Sequence, residues 1–116
     1  MMSSISEEKQ NLLKIYVESI KKIYGPHLNK IILYGSYARG DFNEDSDIDI
    51  MILLDISDIE IKDYRHQLSD TTFDFNMDHN IDIKPIAKNE DQFLHWLAAY
   101  PFYKNIDKEG VVLYAA

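Results

Sequence analysis

The sequence predicts an α/β (α+β) domain with helices layered on one small sheet. Three observations carry this. Segments of helical periodicity alternate with short apolar runs rich in β-branched residues. One such run, Asp47 to Leu54, is continuously apolar after its two acids, as a central strand covered on both faces would be. At 116 residues the chain has room for one core, so residues 1–116 are expected to form a single domain.

The elements follow in order. Ser4 and Glu7 have capping-box spacing, and Leu12, Leu13, Tyr16, Ile20, Ile23 and Tyr24 recur at helical spacing until Gly25-Pro26 stops the helix. Ile31 to Tyr34 reads as the first strand. Ser36 to Arg39 reads as a short helical turn, and Gly40 to Ser46 as a polar loop. After the central strand, Ser57 and Glu60 repeat the capping-box spacing. Ile61, Tyr64, Leu68 and Phe75 then form one apolar stripe on a following helix. Ile81 to Ile86 is a third strand, stopped at Pro85. Asn89 and Gln92 begin a helix with Phe93, Trp96, Leu97 and Tyr100. Pro101 ends or kinks it, with a further short turn through Ile106, and Gly110 opens a last strand, Val111 to Tyr114.

Composition narrows the function. The formal charge of −8 and pI near 4.8 deprive the chain of the basic surface that binds long nucleic acid. A nucleoside triphosphate carried by a divalent cation, or a basic protein partner, suits the charge better. With no cysteine, neither a disulfide nor a thiolate site is possible. No apolar run approaches the ~20 residues that span a bilayer, which gives a cytoplasmic expectation with no membrane partner.

The most informative stretch is residues 35–49, GSYARGDFNEDSDID. Glycine at 35 removes the Cβ that would keep backbone from a phosphate. Ser36 then offers a hydroxyl beside the free amides of a helical start. By itself a Gly-Ser pair is more often a turn with an N-cap. Asp47 and Asp49 are stronger. On a strand they share a face with Cα atoms roughly 6.6 Å apart. Carboxylates about 5 Å apart repel by roughly 3 kcal/mol at an effective dielectric near 20. A divalent cation compensates such a pair, and hard oxygen ligands select Mg²⁺, with Mn²⁺ also suitable. A bridging pair fits two ions. The plainer alternative is a solvated strand end.

Asp82, flanked by Ile81 and Ile83, faces opposite to both on a strand and joins the pair if that strand neighbours the second. It would bind metal and activate or orient an attacking hydroxyl. Asp74 and Asp78 compete for the role from a less fixed helix-to-loop region. Arg39, one helical turn after Ser36, suits a phosphate or an acidic loop equally. His27, His66, His79 and His95 lack metal-ligand spacing. The aromatic stripe on the Phe93–Tyr100 helix reads as core; part of it, the first helix and the last strand are equal candidates for a partner surface.

Gly35-Ser36, followed ten residues later by Asp47-Ile48-Asp49 and then by Asp82, resembles the signature of the DNA polymerase β-like nucleotidyltransferase superfamily. The fuller run Leu33 to Gly40, Ser46 to Ile50, and the closing Ile106 to Tyr114 are similar to its minimal nucleotidyltransferase (MNT) branch. The resemblance implies a small mixed sheet flanked by helices, Asp47, Asp49 and Asp82 as catalytic and metal-binding acids for two Mg²⁺, and Gly35, Ser36 and Arg39 at the nucleotide. It also implies an antitoxin that transfers AMP from ATP to a tyrosine of a cognate helical HEPN RNase toxin, its partner in a hetero-oligomer. Two other functions fit the same residues: a binding-only antitoxin that masks its toxin, and a small-molecule transferase of the aminoglycoside-modifying kind.

Overall fold

A computed structural model describes residues 5–116. Four strands form one mixed sheet in the order β3-β2-β1-β4: β1 (Leu28–Tyr34), β2 (Ile48–Leu54), β3 (Ile83–Asn89) and β4 (Val111–Ala115). β1 runs antiparallel to both β2 and β4, whereas β2 and β3 are parallel. The helices are α1 (Glu7–Tyr24), α2 (Ser36–Arg39), α3 (Asp58–Asp63), α4 (Arg65–His79), α5 (Glu90–Trp96) and α6 (Pro101–Glu109).

Strand alternation splits the core into two layers. On one face Ile31, Leu33, Ile48, Ile50, Ile52 and Leu54 pack with Leu13, Tyr16, Val17 and Ile20 of α1 and Phe75 of α4. The Tyr16 hydroxyl and Thr72 Oγ1, 2.7 Å apart, tie those two helices together where both side chains are buried. On the other face a smaller cluster joins Ile32, Tyr34, Met51 and Leu53 to Phe93 of α5 and Ile106 of α6. Asp47 and Asp49 belong by parity to this second face.

Several element boundaries differ from expectation. Ser4 lies outside the described residues; α1 is capped by Ser6, whose hydroxyl accepts from the Lys9 amide at 3.2 Å. The first strand starts earlier, at Leu28, and the central one at Ile48. The single helix expected after Ser57 is two, because Tyr64 sits at φ −96°, ψ 0° and serves as the end of α3 and the start of α4. No Gly or Pro marks that break. The capping box of Ser57 and Glu60 forms, and the Asn89 side chain accepts from the Gln92 amide at 2.9 Å.

Pro85 does not stop the third strand; β3 continues to Asn89. The reason is its edge position. Asn76 of α4 hydrogen-bonds both backbone groups of Ile83, accepting from its N–H (2.9 Å) and donating to its carbonyl (3.2 Å). Backbone groups alternate sides along a strand, so residues 83 and 85 both point away from β2. The N–H that Pro85 lacks would have met no strand. Pro101 does not end the preceding helix either: α5 stops at Trp96, short of the expected Tyr100, and Pro101 opens α6, where proline fits the first helical turn.

Candidate active site

The end of β1 and the start of β2 are cross-strand neighbours, with Tyr34 opposite Asp49. The chain leaves β1 through Gly35 at φ +76°, a left-handed conformation that glycine adopts without strain. A Cβ on Gly35 would collide with Oδ2 of Asp49. The glycine therefore lets the first strand turn directly against a carboxylate of the second. The two halves of the 35–49 motif are one piece of geometry.

From Gly35 the backbone enters α2. The Gly35 carbonyl accepts from the amides of Ala38 and Arg39, both at 3.1 Å, and Ser36 O accepts from Gly40 N at 2.9 Å. The first amides of that turn have no partner within the helix. Tyr37 and Ala38 are buried beneath it, with Tyr37 stacked on Phe42 at 4.2 Å, so the turn rests on a packed base.

Asp49 opens into a cavity of about 600 Å³ lined by Tyr34, Gly35, Ser36, Arg39, Phe102, Asn105, Ile106 and Glu109, a volume suited to a small ligand. The opposite wall is the face of α6 carrying residues 102, 105, 106 and 109, which the sequence reading did not single out. Their i, i+3, i+4, i+7 spacing was the available signal. It was obscured because the face mixes aromatic, amide, aliphatic and acidic side chains behind a proline.

Parallel register pairs Ile48 with Ile83, and the Ile48 amide donates to the Asp82 carbonyl at 2.9 Å. Asp82 thus stands just before β3, which starts at Ile83 rather than Ile81, so it lies beside Asp47 from a loop and not by strand alternation, and it does not line the cavity of Asp49. Asp47 lies between the other two acids in electrostatic terms. The Asp82 carboxyl is pushed above the usual carboxylate range, first by a hydrogen bond shared with Asp47 and then by desolvation, with Lys84 opposing. Lys84 Nζ lies 3.8 Å from Asp82 Oδ1. Asp49 is also shifted up, first by burial and then by the Asp47 charge, against the pull of Arg39 and Lys84. These three are the acids expected to hold divalent cations, but among the described residues no three acidic, imidazole or thiol side chains are gathered closely enough to hold a metal ion. Asp49 faces the cavity, whereas Asp82 lines two grooves on its other side. Asp74 and Asp78 are exposed on α4 and line none of these.

Arg39 reaches the cavity but is held by acids: Nε lies 3.2 Å from Asp41 Oδ2 and Nη1 3.6 Å from Glu109 Oε2. The Tyr34 hydroxyl is pushed up to about 12 by burial, with Asp49 and Tyr103 adding to the shift. It stays a neutral phenol beside the carboxylate. Elsewhere, His27 pairs with Asp55 at 2.9 Å and His79 packs on Phe75 at 4.4 Å between ring centres. Among the described residues no helix is long and apolar enough to cross a membrane.

The nucleotidyltransferase domain model matches residues 13–113. Over 113 residues the chain is 35% identical to MJ0604 of Methanocaldococcus jannaschii, a candidate protein adenylyltransferase, covering 95% of this chain and 100% of that protein. The crystal structure of a candidate nucleotidyltransferase from Sulfolobus solfataricus superposes with a TM-score of 0.63 at 22% identity, over 91% of this chain and 79% of that one. A toxin–antitoxin structure with AMP-PNP superposes at 0.59 and 20% identity, over 91% and 74%. These two likenesses are likenesses of fold. With paired aspartates at a glycine turn, and a sequence match running nearly end to end, the chain belongs to the nucleotidyltransferase domain family.

Proposed function

We propose that the chain transfers AMP from Mg·ATP to a tyrosine hydroxyl of a helical HEPN-type toxin and so acts as its antitoxin. The observation that carries this reading is the juxtaposition of Gly35, Ser36 and Asp49 in one cavity, with Asp47 and Asp82 continuing the acidic row to the opposite side. The candidate protein adenylyltransferases among its relatives support the adenylyl group and a protein acceptor. The toxin–antitoxin complexes of similar fold support the partner class.

In this reading the nucleotide enters from the Asp49 side and the acceptor from the Asp82 side. The tyrosine oxygen bonds to the α-phosphorus, the α–β anhydride bond breaks, and pyrophosphate leaves. Ser36 and the first amides of α2 grip the leaving phosphates, and Gly35 keeps side-chain bulk out of their path. Asp82 is exposed and already shares a hydrogen bond with Asp47; it orients the attacking hydroxyl and takes up its proton. The hard oxygens of the three carboxylates are the donor type Mg²⁺ prefers, and Asp47 raises both neighbours, after burial in the case of Asp49 and through a shared hydrogen bond in the case of Asp82. Asp47, Asp49 and Asp82 would hold two ions, which when bound neutralise charge on the attacking and leaving oxygens.

The test is to incubate the purified chain with Mg²⁺, ATP and its co-encoded helical neighbour, then weigh both proteins intact. AMP added to the neighbour, and absent with Asp47→Asn/Asp49→Asn, is the expected result. An unmodified neighbour silenced in a stable complex would replace this reading with that of a binding-only antitoxin.

A further inference from the structure

Resting on the nucleotide reading of the cavity, the geometry points to the α6 wall as the nucleobase subsite: Phe102 is the stacking platform and Asn105 the amide that hydrogen-bonds the edge of the stacked base. The cavity has a polar end and an aromatic end. At the first stand Gly35, Ser36 and Arg39, with Glu109 of α6 against Arg39. At the second, one face of α6 presents Phe102 beside Tyr34. Seven residues of helix separate Phe102 from Glu109, about 10 Å along the axis, the scale of a nucleotide laid from phosphates to base.

Phe102 is 49% exposed, too open for a core side chain of its size. Its ring is nonetheless held in place, edge-on to Tyr34 at 5.9 Å and to Tyr103 at 5.3 Å between ring centres. A fixed, half-open aromatic face in a cavity that also holds polar groups is what a base stacks upon. Three residues on, Asn105 lies on the same helix face, and among the described residues its side-chain amide makes no hydrogen bond. A single amide offers one donor-and-acceptor edge, which matches the amino group and ring nitrogen of adenine. Arg39 is the one cation lining this cavity among the described residues. It sits at the other end, bound to Asp41 and Glu109.

The experiment is calorimetric titration of the full chain with Mg·ATP, Mg·GTP and Mg·tripolyphosphate at one metal concentration. The unsubstituted protein should bind ATP about tenfold more tightly than tripolyphosphate, the increment expected of one stacked base. Phe102→Leu keeps an apolar side chain against Tyr34 and removes the flat ring. It should bring ATP down to the tripolyphosphate affinity while leaving the latter unchanged, and Phe102→Trp should retain the preference. Asn105→Ala should weaken ATP severalfold while leaving tripolyphosphate unchanged. Phe102→Leu binding ATP within about twofold of the unsubstituted protein would overturn the inference, as would equal affinity of the unsubstituted protein for ATP, GTP and tripolyphosphate, and either result leaves the phosphate site standing. If the unsubstituted protein binds none of the three ligands, the nucleotide reading falls and this inference with it.

Discussion

The two faces of the sheet are built for different purposes. The face under α1 and α4 is a broad aliphatic layer in which Tyr16, Ile20, Ile31 and Ile50 are fully enclosed, and its few polar groups are paired. The face under α5 and α6 holds a small cluster around Met51 and Leu53, then gives way within the same strands to Tyr34, Asp49 and Asp47. β2 serves both. Its even-numbered residues anchor the fold, and its odd-numbered ones pass from core to carboxylates at the strand's beginning. Stability and chemistry thus share a backbone while drawing on separate sets of side chains.

The sharpest way to separate the faces is to neutralise the acids. Asp47→Asn/Asp49→Asn should reduce adenylyl transfer by about a thousandfold or more, while the melting temperature holds or rises. The sign follows from Asp49. Its carboxyl is shifted upward in the folded state, so ionisation favours the unfolded chain, and native stability increases as pH falls through the folded pKa. Asparagine mimics the protonated form at all pH values. A marked fall in melting temperature would show that the acids support the fold after all.

The converse substitution is Ile20→Ala, at a fully buried position of α1. Cavity formation there should lower unfolding free energy by about 3 kcal/mol, read from denaturant titration, with nucleotide affinity unchanged in the protein that remains folded. Gly35→Ala couples the two faces. It places a methyl against Asp49 and forces a left-handed conformation costing about 1–2 kcal/mol. Both stability and Mg·ATP binding should therefore fall, and intact binding would dissociate the glycine turn from the site.

The smallest of these effects is pH-driven and spans both faces. Tyr16 and Tyr24 on one side and Tyr34 on the other are each raised to about 12, in every case chiefly by burial. Their folded pKa exceeds the unfolded value near 10, so their contribution is complete below pH 10 and is lost as pH rises toward 12. Difference titrations against Tyr16→Phe, Tyr24→Phe and Tyr34→Phe isolate these three among the eight tyrosines; their phenolate absorbance should rise together with loss of circular dichroism, and its rise ahead of unfolding would contradict the burial.

Much of this was legible in the sequence wherever one local rule governed. The α1 periodicity, the capping box of Ser57 and Glu60 and the apolar run of β2 appear as expected. What escaped depends on neighbours far along the chain. Pro85 is tolerated because β3 is at an edge and Asn76 covers the adjoining position. The helix break at Tyr64 has no local punctuation. The α6 wall was invisible because Phe102, Asn105 and Glu109 acquire meaning only once Gly35 and Asp49 stand across the cavity.

The parallel pairing of β2 with β3 has a consequence in time. Asp49 and Asp82 are joined by a long crossover through α3 and α4, and a parallel pair cannot form until that crossover has folded back on the sheet. Such distant pairings bear the greatest loop-closure entropy and are the slow ones. The β1–β2 hairpin can bring Gly35 to Asp49 early, but the acidic row stays incomplete until β3 docks. A chain still short of its native topology therefore lacks Asp82 beside Asp47, so any chemistry that draws on all three acids arrives with the final fold and not before it.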